Sequence, residues 1–323
     1  MTGLDIGSLV PVQELFSAGL SAASLKVYKT GQNCYVRFCE LYAHSPFPAS
    51  EEKLSQFVAH LFMAGLSAGT VKSYLSAVCH AQIGLGLGDP DLPSMPRLEY
   101  IIKGYRRKSV KSGGRPRLPI TPAILRALKA VWFLDGNSFS VSMLWAASCL
   151  CFFGFLRSGE IVVPSDSSFD PAFHLCYGDV LVDSCTNPSV LSVRLKASKT
   201  DPFRKGVSLV IGRGKGDICL VAAVLGYMVL RGLAPGPLFL FSDGSFLTRP
   251  RFVSAIRSAL DRAGIDSKPY LGHSFRIGPA TTAASCEIQD SRIKILGRWQ
   301  SSAYQLYIRT PPGILTEVAS QLL

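Results

Sequence analysis

The sequence predicts an N-terminal all-α helical bundle followed by a larger α+β domain, mainly helical, with a small antiparallel sheet. Three observations predict it. Helical apolar spacings succeed one another through residues 1–107; a basic run punctuated by Gly and Pro occupies 108–119; and three short β-like runs lie among helical patterns beyond residue 120. A chain of 323 residues has room for two domains that each bury a core.

In the first part, Ser21–Tyr42 places Leu25, Tyr28, Cys34, Val36, Phe38 and Leu41 at helical spacings. Glu51–Leu66 repeats the pattern through Leu54, Phe57, Val58, Leu61 and Phe62, Thr70–Ile83 through Val71, Tyr74, Leu75 and Val78, and Met95–Arg107 through Leu98, Ile101, Ile102 and Tyr105. Short amphipathic helices joined by Ser, Gly and Pro turns make a compact bundle. The stretch from Arg106 to Pro119 carries Arg106, Arg107, Lys108, Lys111, Arg115 and Arg117 and no acid. It reads as an interdomain linker, a solvated hinge whose unopposed charge also suits a phosphate backbone. Beyond it, helical patterns cover Thr121–Trp132 and Val141–Leu156, strand-like runs Val180–Ser184, Val190–Leu195 and Val207–Ile211, and helices resume at Asp217–Leu230, Arg249–Ala263 and Ser274–Ser285 before shorter pieces. The domain reading is 1–107, linker 108–119, a domain over 120–311, and a tail 312–323 with an apolar stripe of Ile314, Leu315, Val318, Leu322 and Leu323.

Composition narrows the function. An apolar fraction of 48% with 10% aromatics excludes a disordered chain. With 34 Lys+Arg against 22 Asp+Glu, the formal charge of +12 points to a polyanionic partner, nucleic acid or a membrane surface. No span approaches the roughly 18–20 uninterrupted apolar residues that crossing a bilayer needs; the nearest, Val141–Leu156, is interrupted by Ser142, Ser148 and Gly154 and ends at Arg157. Met1–Val10 has an acid at Asp5 and lacks a basic start and a long apolar run, so it does not read as a secretory signal. Nine cysteines without a CxxC pair read as free thiols, zinc ligation with His44, His60 or His80 being the alternative. Gly84-Leu-Gly86-Leu-Gly88 has no strand before it and reads as an interhelix turn, and Arg213-Gly-Lys215-Gly as a basic loop.

Four separated clusters carry potential chemistry. In Gly154-Phe-Leu-Arg157-Ser-Gly-Glu160 an apolar helix ends on an Arg with a Glu three residues on. This is either a structural ion pair or a guanidinium held by its own carboxylate and aimed at a phosphate. Lys196-Ala-Ser-Lys199-Thr-Asp-Pro-Phe-Arg204-Lys205 is the turn between two strand-like runs, a solvated tip or a lysine delivered to DNA. His273-Ser-Phe-Arg276 opens a helix with His and Arg on nearly one face. Gly297-Arg298-Trp299 followed by Tyr304 and Tyr307 closes the series, its tyrosines being packing residues or a nucleophile.

Together and in this order, Arg-x-x-Glu, a hairpin Lys, His-x-x-Arg and Gly-Arg-Trp followed by Tyr resemble the tyrosine recombinase (phage integrase) family, from about residue 20 to 310. The strings SKTDPFRKG and HSFRIGPATTAA look most like recombinases of eukaryotic DIRS-type, Ngaro-type or crypton-type mobile elements. The resemblance implies a core-binding helical domain, a basic linker and a catalytic domain. It carries the family's active-site positions onto Arg157, Lys199, His273, Arg276, Trp299 and Tyr307, with Glu160 in support and Tyr304 as rival nucleophile. Arg106, Arg107, Lys108, Lys111, Arg115, Arg117, Arg204 and Lys205 are expected on DNA. The sequence departs from the family pattern in three places: Trp299 stands where many members carry His, Tyr307 follows it at eight residues, and Pro279 is expected to deform its helix.

The implied chemistry suits these side chains. A tyrosine that attacks a phosphodiester conserves bond energy as a 3′-phosphotyrosine, and a phenol with pKa near ~10 needs local positive charge to do so. Two guanidiniums clamp nonbridging oxygens bidentately, and the departing 5′-oxygen needs a proton, for which Lys199 is the candidate, ahead of Lys196 and Lys205. No metal or other cofactor and no small-molecule substrate is implied. A tetramer on DNA, a tail docking on a neighbouring protomer and nuclear localisation are the remaining expectations. The alternatives are a catalytically inactive, host-adopted DNA-binding protein and type IB topoisomerase-like strand relaxation.

Overall fold

The structure, a computed structural model, describes residues 9–109, 116–134, 136, 138–198, 201 and 203–308, with side chains from residue 11 onward. Lys111, Arg115, Lys199 and the tail 312–323 lie outside the described residues. The chain divides into two compact units, Met1–Gly114 and Arg115–Leu323.

The first unit is helical: α1 (Leu9–Ala18), α2 (Ala22–Leu41), α3 (Glu51–Met63), α4 (Ala68–Gly84) and α5 (Pro96–Ser109). Serine begins three of them for one reason. Ser21, Ser50 and Ser67 each accept a hydrogen bond from a backbone N–H of the first turn, at 3.2, 3.4 and 3.1 Å. The apolar faces meet around Tyr35, Phe38, Phe57, Leu61, Leu75 and Val78, all buried. α2 and α4 approach closely at Gly31, where a Cβ would lie 3.1 Å from the Tyr74 Cα. α3 ends at Met63, short of the expected Leu66, because Gly65 turns the chain at φ +72°. Exposed Arg106, Arg107 and Lys108 occupy the last turn of α5, where cations complement the carbonyl end of a helix.

The second unit surrounds α7 (Phe139–Phe153), buried from Ser142 to Phe152. Against it lie α6 (Pro122–Trp132) and α8 (Leu220–Arg231). α8 begins at Leu220, not Asp217, because the Asp217 carboxylate and carbonyl are taken by Arg126 at 2.9 Å and Lys129 at 2.6 Å. The sheet is a three-stranded antiparallel meander, β1 (Val180–Val182), β2 (Val190–Leu195) and β3 (Val207–Gly212), with Val193 opposite Val180 and Leu209. Along β2, Leu191, Val193 and Leu195 point into the core, the two-residue period of a half-buried strand. β1 stops two residues early because Asp183 turns the chain, its carboxylate accepting from the Ser189 and Val190 N–H groups at 2.9 and 3.0 Å. α9 (Arg249–Arg262), α10 (Ser274–Ser285), α11 (Asp290–Leu296) and a 3-10 turn, Ser302–Tyr307, complete the unit. Among the described residues no helix is long and apolar enough to cross a membrane.

Two departures from the sequence reading shape the site. α7 ends at Phe153, not Leu156, because Phe155 takes a left-handed φ of +51° and turns the chain out of the helix. The carbonyls of Gly154 and Phe155 are thereby freed for side chains from elsewhere. α10, expected to be deformed at Pro279, continues through it to Ser285. Its close neighbour is instead at Gly278, where a Cβ would lie 1.8 Å from the Ile120 carbonyl oxygen, while Ile120 N–H donates to the Ser274 carbonyl at 3.0 Å. Gly278→Ala is therefore expected to cost about 3 kcal/mol, the upper end for overpacking against backbone, read as a lowered midpoint in urea unfolding. An unchanged midpoint would mean that the approach is slack.

Candidate functional site

The turn after α7 assembles a set of charges. Arg157 starts a 3-10 turn, Ser158–Glu160, and Glu160 folds back on it: one carboxylate oxygen accepts the Arg157 backbone N–H at 2.8 Å, the other its guanidinium at 3.3 Å. A second guanidinium, Arg298, reaches the same carboxylate at 3.4 Å and donates to the Gly154 carbonyl at 3.0 Å. The Glu160 side chain is only 6% exposed, so its charge is compensated by these two arginines and not by water.

Arg276, on the first turn of α10, is almost wholly buried. Its two terminal nitrogens donate to the Phe155 and Gly297 carbonyls, each at 2.6 Å, and Nε has no partner. Burial, with repulsion from Arg157 and Arg298, lowers its pKa to about 10, so it stays charged at neutral pH. The guanidinium carbon lies 4.3 Å from the Trp299 ring centre, a cation–π stack. That stack requires Gly297, because a Cβ there would lie 1.6 Å from the indole. The indole Nε1 is the second buried donor at this spot without a partner. Two unspent buried donors beside a guanidinium cluster are the chemistry of an anion site.

The tyrosines separate. Tyr307 packs, tilted, at 5.4 Å from Trp299 and 6.4 Å from His273 between ring centres, with the Arg276 guanidinium carbon 6.0 Å from its ring centre. Tyr304 turns the other way: buried, it donates its hydroxyl to Asp290 at 3.1 Å, and burial together with that carboxylate raises its pKa. His273, immediately before α10, has a pKa below its ordinary value from burial and from Arg117, Arg157, Arg249 and Arg276 around it. It is therefore neutral at pH 7.

Arg157, Glu160, His273, Arg276, Trp299 and Tyr307, spread over 150 residues, thus share one site. Lys199 lies outside the described residues. Lys196 is engaged by other groups, its ammonium 2.6 Å from Asp179 and 2.8 Å from the Pro171 carbonyl. Arg204, exposed, lies 4.3 Å over the Phe173 ring, and Lys205 is exposed beside it. Two members escape sequence reasoning. Arg298 sits inside the Gly-Arg-Trp string, but only its left-handed φ of +54° aims it at Glu160. Arg249, first residue of α9, has no sequence signal and stands near Gly272 and His273. All nine cysteines are free thiols, and among the described residues no three His, Cys, Asp or Glu side chains gather as a metal site would need.

No family model matches the chain. The integrase/recombinase XerD homolog of Selenomonas ruminantium is 22% identical over 272 residues, 82% of this chain and 74% of its own. Among solved structures, a lambda integrase dimer bound to a COC′ core site is similar with TM-score 0.60 at 15% identity, over 93% of this chain and 94% of that one. The XerH site-specific recombinase in a post-cleavage complex with its difH substrate gives 0.59 at 15% identity, over 84% and 69%. The Tn1549 transposon integrase with circular intermediate DNA gives 0.54 at 12%, over 96% and 98%.

The four arginines around His273 make its titration a test of the geometry. Its folded pKa lies below the ordinary 6.5, so the unfolded chain binds more protons as pH falls below 6.5. This residue's contribution to stability is complete above that value and declines toward the folded pKa. NMR titration is expected to place the His273 midpoint below 6.5 and to move it upward in Arg249→Ala. A midpoint at or above 6.5 would contradict the arrangement.

Proposed function

We propose that this chain, a member of the tyrosine recombinase/integrase family, cleaves and rejoins duplex DNA strands through a covalent 3′-phosphotyrosyl intermediate on Tyr307. The observation that carries the proposal is the meeting of Tyr307 with Arg157, Arg276, His273 and Trp299 around one buried carboxylate.

Each side chain has a role that its surroundings suit. Glu160 keeps Arg157 oriented while Arg157 remains partly exposed at the mouth, where a phosphodiester arrives. Arg276 and the Trp299 indole back it with the two unspent donors, aimed at charge that grows on the nonbridging oxygens as the phosphorus becomes five-coordinate. The same positive field favours the phenolate of Tyr307, whose oxygen forms the bond to phosphorus. His273, neutral, donates or accepts a proton beside that ring. Lys199, by the family resemblance, supplies the proton to the departing 5′-oxygen. Rejoining reverses the steps, with a 5′-hydroxyl attacking the phosphotyrosine.

Duplex DNA is the partner this chemistry requires, and the relatives solved with DNA support it. Arg106, Arg107 and Lys108, exposed on α5, and Arg117, near His273, offer further contacts to the DNA backbone. We read the assembly as a tetramer on DNA, the substrate as a mobile element's ends, and the location as nuclear, the last two from the resemblance of SKTDPFRKG and HSFRIGPATTAA alone.

The test is covalent capture on nicked duplexes drawn from a random-sequence pool, read as a protein–DNA adduct on a denaturing gel. The parent and Tyr304→Phe are expected to form the adduct and Tyr307→Phe to form none. Arg276→Lys is expected to form it about 10²–10³-fold more slowly, as loss of fixed oxyanion donors does. Binding without an adduct from the parent would leave a DNA-binding module and remove the enzyme.

A further inference from the structure

A cleft of about 300 Å³ opens beside Arg157, lined by Arg157, Gly159, Glu160, Phe173, His174, Ala197 and Ser198. Neither His273 nor Tyr307 lines it, so Arg157, which also acts on His273, borders a cleft apart from the tyrosine. Its outer wall joins two segments distant in sequence. Lys196, at the base of the hairpin, donates to the Pro171 carbonyl at 2.8 Å and reaches the His174 carbonyl at 3.4 Å, while its ammonium pairs with Asp179. Arg204, from the far side of the hairpin, covers the Phe173 ring at 4.3 Å. Lys196 and Arg204 are thereby both held against the loop that carries Phe173 and His174.

Within that wall the imidazole is fixed. The Asp170 backbone N–H donates to His174 Nδ1 at 2.9 Å, the Asp170 carbonyl oxygen lies 3.1 Å from the same nitrogen, and the ring packs tilted against Phe169 at 5.9 Å. A backbone N–H is always a donor, so Nδ1 is the acceptor and the proton sits on Nε2. Among the described residues Nε2 has no hydrogen-bond partner. The site therefore holds a half-buried, oriented N–H donor beside the phosphate-facing Arg157, on a flank that the tyrosine does not occupy.

In-line displacement puts the attacking and leaving oxygens on opposite sides of phosphorus. With the phosphate on Arg157, the oxygen that leaves needs a donor on a side that Tyr307 does not line, and the His174 cleft beside Arg157 is such a side. We propose that His174 is a further catalytic residue, its Nε2–H donating a hydrogen bond to the 5′-oxygen as it departs. This rests on the strand-cleaving reading above. In the step, the Tyr307 hydroxyl passes its proton to neutral His273 as its oxygen–phosphorus bond forms, the phosphorus–5′-oxygen bond breaks, the departing oxygen takes a proton from Lys199, and His174 donates a hydrogen bond to that oxygen without changing protonation.

A sulfur in place of the bridging 5′-oxygen tests this, because a thiolate leaves without such help. Single-turnover adduct formation is compared on a nicked duplex captured by the parent from the random pool, made with 5′-oxygen or 5′-sulfur at the scissile position. His174→Ala is expected to be about 10²-fold slower than the parent on the oxygen ester and within about threefold of it on the sulfur ester. His174→Gln, whose amide N–H occupies the place of Nε2, is expected to recover most of the oxygen-ester rate. Rescue by sulfur within one variant separates chemistry from folding. Equal slowing on both esters would make His174 a loop-positioning residue and overturn the proposal, as would an unchanged rate on oxygen. Should the parent form no adduct on either ester with DNA it binds, strand cleavage itself falls, and this role with it.

Discussion

A single buried carboxylate holds the site together. Glu160 is the counter-charge for Arg157 and Arg298 and lies within reach of the field at Arg276. Guanidiniums removed from water are costly unless compensated, and three against one carboxylate leave the group net positive. That residual charge is not a defect of packing. In a low-dielectric setting such residual charge suits the phosphodiester of the proposed function.

The rest of the compensation comes from backbone. α7 is apolar and buried, so its C-terminal carbonyls end inside the protein with no solvent to satisfy them. The left-handed turn at Phe155 presents the Gly154 and Phe155 carbonyls to Arg298 and Arg276, answering the helix's unmet acceptors and the arginines' unmet donors at once. The helix end and the site are one construction. Gly297 completes it by giving its carbonyl to Arg276 and leaving the space where Trp299 covers the guanidinium.

Around this core stand two walls of different chemistry. On one flank are the aromatic rings of Trp299 and Tyr307 with His273, packed and poorly hydrated; on the other is the polar cleft between the hairpin and the loop that Lys196 ties to it. A phosphodiester seated on Arg157 would meet a nucleophile on the first flank and donors to a leaving group on the second, a division of labour that in-line chemistry needs. Tyr304, only three residues from Tyr307, turns away from this group and donates its hydroxyl to Asp290.

Much of this was legible from residue order. Period and turn chemistry mark the helices and the three strands, since apolar spacing reports which face is buried and Ser, Gly and Asp report where chains turn. They mark Arg157, Glu160, His273 and Arg276 as unusual in place, because a charge at the end of an apolar run or a basic pair on one helix face stands out locally, whereas Trp299 and Tyr307 are singled out only by the family resemblance. Tertiary structure decided what local pattern does not encode. The end of α7 depends on which carbonyls distant arginines claim; Arg298 and Arg249 matter only because the chain returns them to Glu160 and His273; and His174 becomes a feature only when the hairpin is fastened beside it. Sequence determined the kinds of groups available and the helices and strands that carry them, because those follow from near neighbours. Which tyrosine faces the guanidiniums, and which histidine shares their cleft, was decided by contacts between residues more than a hundred positions apart in several cases, where only the folded chain sets the distance.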